Sequence, residues 1–241
     1  MNDKTEGIVL QSVRYGESSL IVKVFTRDFG LKSYMLKGAF ARNSKYKPAL
    51  FQNLNKISYV EAGRQKTASL GYLKDVQLAL VYRSLPFVMD KSAILMFVGE
   101  LLGKTITEQE KNEDLYDFVA RSMQWLDLVE SDYANFPLYF TLETTRHLGF
   151  YPMSNYEAGF CFDMMEGRFV HDIPLHPYSL DPEAALLLSR LMGKGIDEAC
   201  RQPLNVVQRR VLLDGLIAFM RLHAPVLRGF RSHEVLRTVL G

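Results

Sequence analysis

"GIVLQSVRYGESSLIVKVFTRDFGLKSYMLKG", Gly7 to Gly38, is the stretch whose reading decides the fold. β-Branched and aromatic residues fill "GIVLQSVRY" (Gly7–Tyr15) and "SSLIVKVFT" (Ser18–Thr26), whereas "RYGESS" and "RDFG" collect turn residues. "LKSYMLKG" then alternates, with Leu31, Ser33 and Met35 on one side and Lys32, Tyr34 and Leu36 on the other, so one face is expected to be half exposed. Working outward, "NKISYVEAG" (55–63) and "KTASLGYLKDVQLAL" (66–80) supply two further strands, the second long enough to bend at Gly71. Five short antiparallel strands with one long connection fit a small closed barrel of the oligonucleotide-binding type. An open sheet would leave two bare edges.

After Tyr82 the apolar period becomes helical. "SLPFVMDKSAILMFVGELLGKTI" is apolar on nearly every side, which predicts a central buried helix with Ser84 and Pro86 as start signals. "EDLYDFVARSMQWLDLV" places Leu115, Phe118, Val119, Leu126 and Val129 on one stripe, and "ANFPLYFTLETTRHLGF" predicts a third helix closing at Gly149. Asp181-Pro182-Glu183 is a cap followed by proline at the first helical position. Asn205 with Gln208 resembles a capping box before "VVQRRVLLDGLIAFMRLH", which Pro225 ends, and "HEVLRTVL" predicts a short last helix. Within this all-α part, "AGFCFDMMEGRFVHD" predicts a hairpin. The expected architecture is α+β: a five-stranded OB-fold barrel over residues 1–81, then a helical domain over 82–241 with a hairpin insert at about 156–172.

The chain has 241 residues, 48% hydrophobic and 23% charged, the composition of a globular protein. "MNDKTEGIVLQ" lacks a basic segment followed by a long apolar run, and the apolar stretches fall short of the roughly 20 residues of a membrane span, so a cytoplasmic location without membrane contact is expected. The net charge of +2 conceals segregation. Residues 1–80 hold 13 Lys/Arg against 6 Asp/Glu, residues 87–200 hold 8 against 19, and residues 201–241 hold 7 against 2. Such segregation speaks of partners: either a polyanion-binding surface, or two lobes that attract each other.

The basic signal peaks in "MLKGAFARNSKYKPALFQNL", Met35 to Leu54, with no acid between Leu31 and Val60. Lys37, Arg42, Lys45 and Lys47 are candidate phosphate contacts, Phe40 and Tyr46 candidate stacking faces, and Phe51 a core residue. Arg14, Tyr15, Lys23, Arg27 and Lys32 extend this surface. Arg201, Arg209, Arg210, Arg221, Arg228 and Arg231 form a second basic group that either binds ligand or pairs with the acidic middle. Catalysis finds little support. No glycine-rich phosphate loop is present, "EQEKNED" has the place of solvated charges at a helix entrance, and His147, His171, His176, His223 and His233 are scattered. Cys161, His171 and His176 lie near one another in sequence, but structural zinc needs four ligands, usually in two close pairs, so no metal or other cofactor is expected.

The residues assembled here resemble the bacterial recombination-mediator protein RecO family. "TEGIVLQSVRYGESSLIVKVFTRDFGLKSYMLKGA" is similar to its amino-terminal signature, and "LETTRHLGFYP" to the helix and exit that precede its zinc-binding insert. The resemblance implies a non-enzymatic DNA repair protein that binds single- and double-stranded DNA and anneals complementary strands. It further implies contact with the acidic C-terminal tail of the single-strand-binding protein and, with RecR, the loading of RecA. DNA contact carries over to Arg14, Lys32, Lys37, Arg42, Lys45 and Lys47. Many relatives fold four cysteines around zinc, whereas "MSNYEAGFCFDMMEGRFVHD" keeps one, so the insert is expected to be a plain hairpin packed by Phe160, Phe162 and Phe169. Partner capture calls for an apolar groove edged by bases, with Arg121 and Arg146 as candidates. Two other readings remain open at this point: an RNA-binding module on the same barrel, and a scaffold whose charges serve an internal interface. Metal-dependent DNA hydrolysis is a third, more distant one.

Overall fold

The computed structural model describes residues 4–62, 71–107, 110–227 and 229–239. The chain forms two compact units, one of residues Met1–Arg83 with Leu102–Gln124, the other of Ser84–Leu101 with Trp125–Gly241.

In the first unit, β1 (Lys4–Tyr15), β2 (Ser19–Thr26), β3 (Gly30–Leu36), β4 (Lys56–Ala62) and β5 (Tyr72–Leu78) line up in the order β3-β2-β1-β4-β5, each neighbouring pair antiparallel. The two outer strands meet. Tyr34 bridges Gly71 in parallel, Met35 N donating to the Gly71 carbonyl at 3.0 Å and Gly71 N to that of Ser33 at 3.1 Å. The five-stranded barrel expected from the alternating pattern is therefore present, its two outer strands joined at this bridge. Lys66–Leu70, read as the start of the fifth strand, lie outside the described residues.

Curvature comes from β1, which pairs with both β2 and β4. Its register slips between Val9 and Gln11, an extra residue that bends the strand. Gly7 faces Thr26 on one side and Ile57 on the other, and a Cβ there would lie 2.3 Å from Val24 Cγ1, so the crossing admits only glycine. Val9, Val22, Val24, Leu36, Phe51 and Ile57 fill the interior. Burial of each contributes roughly 1.5–3 kcal/mol. Tyr34 and Tyr59 hydroxyls meet at 3.0 Å in this core, and burial raises both phenol pKa values.

Two long helices follow, α1 (Met89–Thr105) and α2 (Glu113–Leu128). In the first unit, Tyr116 of α2 packs its ring 5.7 Å from Phe25. Leu115, Val119 and Leu126 are buried as the stripe predicts, but Val129 lies beyond the helix end. The start of α1 also differs from expectation. Ser84 and Pro86 do not open it, because Ser84 is tied instead to Asp127: Asp127 Oδ1 accepts from Ser84 N at 2.8 Å and Leu85 N at 3.0 Å, and the Asp127 carbonyl from Ser84 Oγ at 2.6 Å. Nor is α1 apolar throughout its buried side. Lys91 is 3% exposed and donates to Ser84 Oγ at 2.8 Å, the Asp127 carbonyl at 3.3 Å and the Val129 carbonyl at 2.5 Å.

The remainder of the second unit holds α3 (Phe136–His147), α4 (Pro182–Leu191), α5 (Ile196–Cys200), α6 (Val206–His223) and α7 (Ser232–Val239). Asp181 caps α4 by accepting from Ala184 N at 2.9 Å. Asn205 and Gln208 complete the expected capping box on α6. A hairpin of β6 (Cys161–Asp163) and β7 (Arg168–Val170) turns at "MMEG", and β8 (Ser179–Leu180), which the sequence pattern does not show, joins as a third strand. Phe162 and Phe169 are buried with ring centroids 5.1 Å apart, while Phe160 is only half-buried. Asn155 holds Phe169 from both sides, donating to its carbonyl at 2.9 Å and accepting from its N–H at 3.1 Å. Among the described residues, no cluster of three or more His, Cys, Asp and Glu has the spacing of a metal site. No helix of the described residues is long and apolar enough to cross a membrane.

Candidate nucleic-acid interface

The connection between β3 and β4 carries the basic stretch, and three anchors fix it to the barrel. Phe40 N donates to the Ser18 carbonyl at 3.0 Å, joining the loop's start to the β1–β2 turn. Tyr46 donates its hydroxyl to the Leu73 carbonyl at 2.8 Å. Phe51 is buried on a short 3-10 turn, Pro48–Phe51, and its carbonyl accepts from Ser12 Oγ at 2.5 Å. Between the anchors, Arg42, Lys45 and Lys47 are exposed, with no ion pair among the described residues. Held backbone and free side chains suit a ligand whose charge is spread along a flexible chain.

Lys37 and Arg14 sit at the same end of the barrel. Leu36, the last residue of β3, is opposite Leu20, and Leu20 is opposite Arg14, so Lys37 and Arg14 flank one row of residues. Each lies over an exposed aromatic ring: Arg14 Cζ is 4.9 Å from the Phe40 centroid and Lys37 Nζ 5.7 Å from that of Tyr72. No local signal in the sequence marks Tyr72, since only the Tyr34–Gly71 bridge brings it beside the end of β3. Tyr15 and Lys23 are exposed on the same barrel.

Three residues of the expected surface are differently placed. Lys32 shares the strand face of Tyr34 and Leu36 and is half-buried; its ammonium pairs with Glu61 at 2.9 Å and lies 4.3 Å from the exposed Phe29 ring. Tyr46 is half-buried against the core, and burial raises its pKa, so its ring serves the barrel instead of offering a free face. Arg27 is held by α2: its Nε and Nη2 donate to the two Asp117 carboxylate oxygens at 3.0 and 3.1 Å, and Nη1 lies 2.9 Å from Glu113. These carboxylates raise the pKa of Arg27, and its guanidinium lowers that of Asp117.

The arginines of the second basic group behave otherwise. Arg209 donates to the Leu204 carbonyl at 2.8 Å, Arg210 to that of Arg237 at 3.1 Å, and Arg221 to that of Phe230 at 3.0 Å. Arg201 lies 3.8 Å from Asp197, and Arg237 pairs with Asp214. Arg231 offers its backbone N–H to Glu100, and Arg228 lies outside the described residues. Of the candidate partner contacts, Arg121 donates to the Asp117 carbonyl of its own helix at 3.1 Å. Arg146 pairs with Glu143 at 2.9 Å, which raises its pKa, and stacks 3.6 Å above Tyr151. Neither lines the groove that the second unit does contain. That groove lies between α3, α6 and α7, has a floor of Pro137, Leu138, Leu213 and Leu236, and is edged by Arg209, Arg210 and Arg237. The residues weighed for metal are separate: Cys161 is buried, His171 is exposed beside Asp172, and His176 lies 3.3 Å from Asp163. Glu108, at the start of the acidic run, lies outside the described residues, and Glu113 within it pairs with Lys111 and Arg27.

Comparison with known proteins converges on one description. Residues 1–82 match the family model for the Recombination protein O N terminal region, and residues 87–228 that for its C terminal region. The chain is 38% identical to "DNA repair protein RecO" of Flavobacterium psychrophilum over 99% of both chains. It is 35% identical to the protein of that name from Flavobacterium johnsoniae, again over 99% of both, and 33% identical to that of Phocaeicola vulgatus over 98% of both.

Proposed function

The chain belongs to the RecO family of DNA repair proteins, and from that premise we propose that it is a non-enzymatic DNA-binding mediator whose barrel end holds the phosphate backbone. The observation that carries this reading is the anchored loop on which Arg42, Lys45 and Lys47 are exposed, together with the strand pairing that brings Lys37 and Arg14 to one end of the barrel. Exposed cations release counterions from the strand and give affinity without reading base sequence. Two single strands held on one positive surface repel each other less, which favours their annealing. Lys32 leaves the proposed set, because Glu61 already balances it.

Replacing Lys37, Arg42, Lys45 and Lys47 together by Ala tests the proposal in a titration with single-stranded DNA over a range of salt. The dependence of log affinity on log salt is expected to flatten by about 0.7 for each phosphate that is no longer neutralised. An unchanged slope and affinity would return the charge asymmetry to an internal role. Competition between single-stranded RNA and DNA at fixed salt separates the RNA-binding alternative.

For partners, we assign capture of the acidic tail of a single-strand-binding protein to the surface around the shallow groove of the second unit, on the strength of its lining of leucines and proline with three arginines. Arg210→Glu should weaken capture of a peptide of that tail about tenfold, and an equal affinity would remove the groove from the reading. Cooperation with RecR in loading RecA, and a cytoplasmic location, complete the proposed role.

A further inference from the structure

Resting on the DNA-binding reading above, we infer that the same end of the barrel selects unpaired strands, through two exposed rings, Phe40 and Tyr72, that stack bases on the faces turned away from Arg14 and Lys37.

Large aromatics are ordinarily placed where their area is buried, yet Phe40 and Tyr72 are 42% and 43% exposed. Both are fixed in position by backbone contacts. Phe40 follows the glycine turn after β3, and its N–H is bonded to Ser18. Tyr72 opens β5, next to the Gly71 bridge to Tyr34 and opposite Ala62. Each ring has a cation against it, at 4.9 Å for Arg14 and 5.7 Å for Lys37. The exposed Tyr15 neighbours Arg14 in the same turn region.

Phosphate contact alone gives no preference for a single strand, because a duplex presents the denser charge. A ring does, since the bases of a duplex are already stacked on one another, whereas an unpaired base has a face to offer. The guanidinium of Arg14 is planar and covers the other face of Phe40, while the lysine ammonium is placed to meet the adjoining phosphate. Arg42, Lys45 and Lys47 then continue the phosphate path along the anchored loop. A simpler role for the rings is to hold the two cations in place, and it makes a different prediction.

The test compares an oligothymidylate with an abasic strand of equal length at fixed salt, for the wild-type chain and for Phe40→Leu with Tyr72→Leu. Stacking contributes about tenfold in affinity per base. The wild type is therefore expected to prefer the thymidine strand by about a hundredfold, and the double variant to lose that preference while its affinity for the abasic strand, and the salt slope of that binding, stay unchanged. Tyr72→Phe should retain it. Equal wild-type binding of the two strands, or a preference that survives the double variant, overturns the inference. So does a variant that weakens both strands alike, since the rings then only position cations. All three results leave phosphate binding standing. That reading fails separately, if the abasic strand shows no salt-dependent binding or if the loop bases can be removed without effect on it.

Discussion

The two basic regions of the chain share a charge and differ in what their cations touch. In the loop between β3 and β4, the backbone is anchored by Phe40, Tyr46 and Phe51 while Arg42, Lys45 and Lys47 face solvent. In the helical unit, Arg209, Arg210 and Arg221 each donate to a main-chain carbonyl, and Arg237 meets Asp214. Equal local charge density thus hides two kinds of cation, those left exposed on a held loop and those already engaged in holding the helical unit together. Neutralising the first group should change DNA affinity with little change in stability. Neutralising members of the second should do the reverse.

The largest effect on stability is expected where a cation is buried most deeply. Lys91 lies among Ser84 Oγ and the carbonyls of Asp127 and Val129, and burial lowers its pKa against the opposing pull of Asp127 and Glu130. Asp127→Ala removes the acceptor of two backbone N–H groups and a carboxylate that favours the charged form of Lys91. A decrease of about 2–4 kcal/mol in a denaturant titration is expected, with the salt slope of DNA binding unchanged. A variant of unaltered stability would mean that water replaces the carboxylate and that this cluster does not organise the entry into α1.

A smaller cost is expected at Arg221, whose guanidinium supports the segment leading into α7 through the Phe230 carbonyl at 3.0 Å. Arg221→Met keeps the aliphatic packing and removes one charged donor. Stability should fall by about 1–2 kcal/mol in the same titration, again without effect on DNA. Weakened DNA binding at full stability would break the comparison, by showing that an arginine of the helical unit also serves a strand.

Much of this contrast is legible in the sequence, in so far as it depends on local pattern. Alternation and turn residues point to the barrel, and Asp181 and the Asn205–Gln208 box to two helix starts, because each signal lies within a few residues of the feature it creates. The same alternation places Lys32 on the strand face of Tyr34 and Leu36. Tyr46, Tyr72 and Lys91 carry no such signal. Their environments are set by Leu73, by the Gly71–Tyr34 bridge and by Asp127, partners that only folding brings near. The short elements α5 and β8, of five and two residues, are too brief to carry a period. The apolar groove combines residues of three helices, so no local pattern in the sequence marks it.

Arg27 gives the finest division, because it belongs to the barrel by position and to the second pattern by its contacts. It sits in the turn after β2, within the most basic third of the chain, yet both Asp117 oxygens and Glu113 hold its guanidinium. A phosphate approaching it would have to displace two carboxylates and overcome their repulsion. Arg27→Gln should therefore leave DNA affinity and its salt slope within the error of the titration, although it removes a full positive charge from the same barrel. If the slope instead flattens by the ~0.7 that one phosphate interaction contributes on a single strand, an ion pair on this surface opens for DNA. The division would then no longer follow from the partners that folding supplies, and the mutual attraction of Arg27, Asp117 and Glu113 would be a gate that a strand can displace.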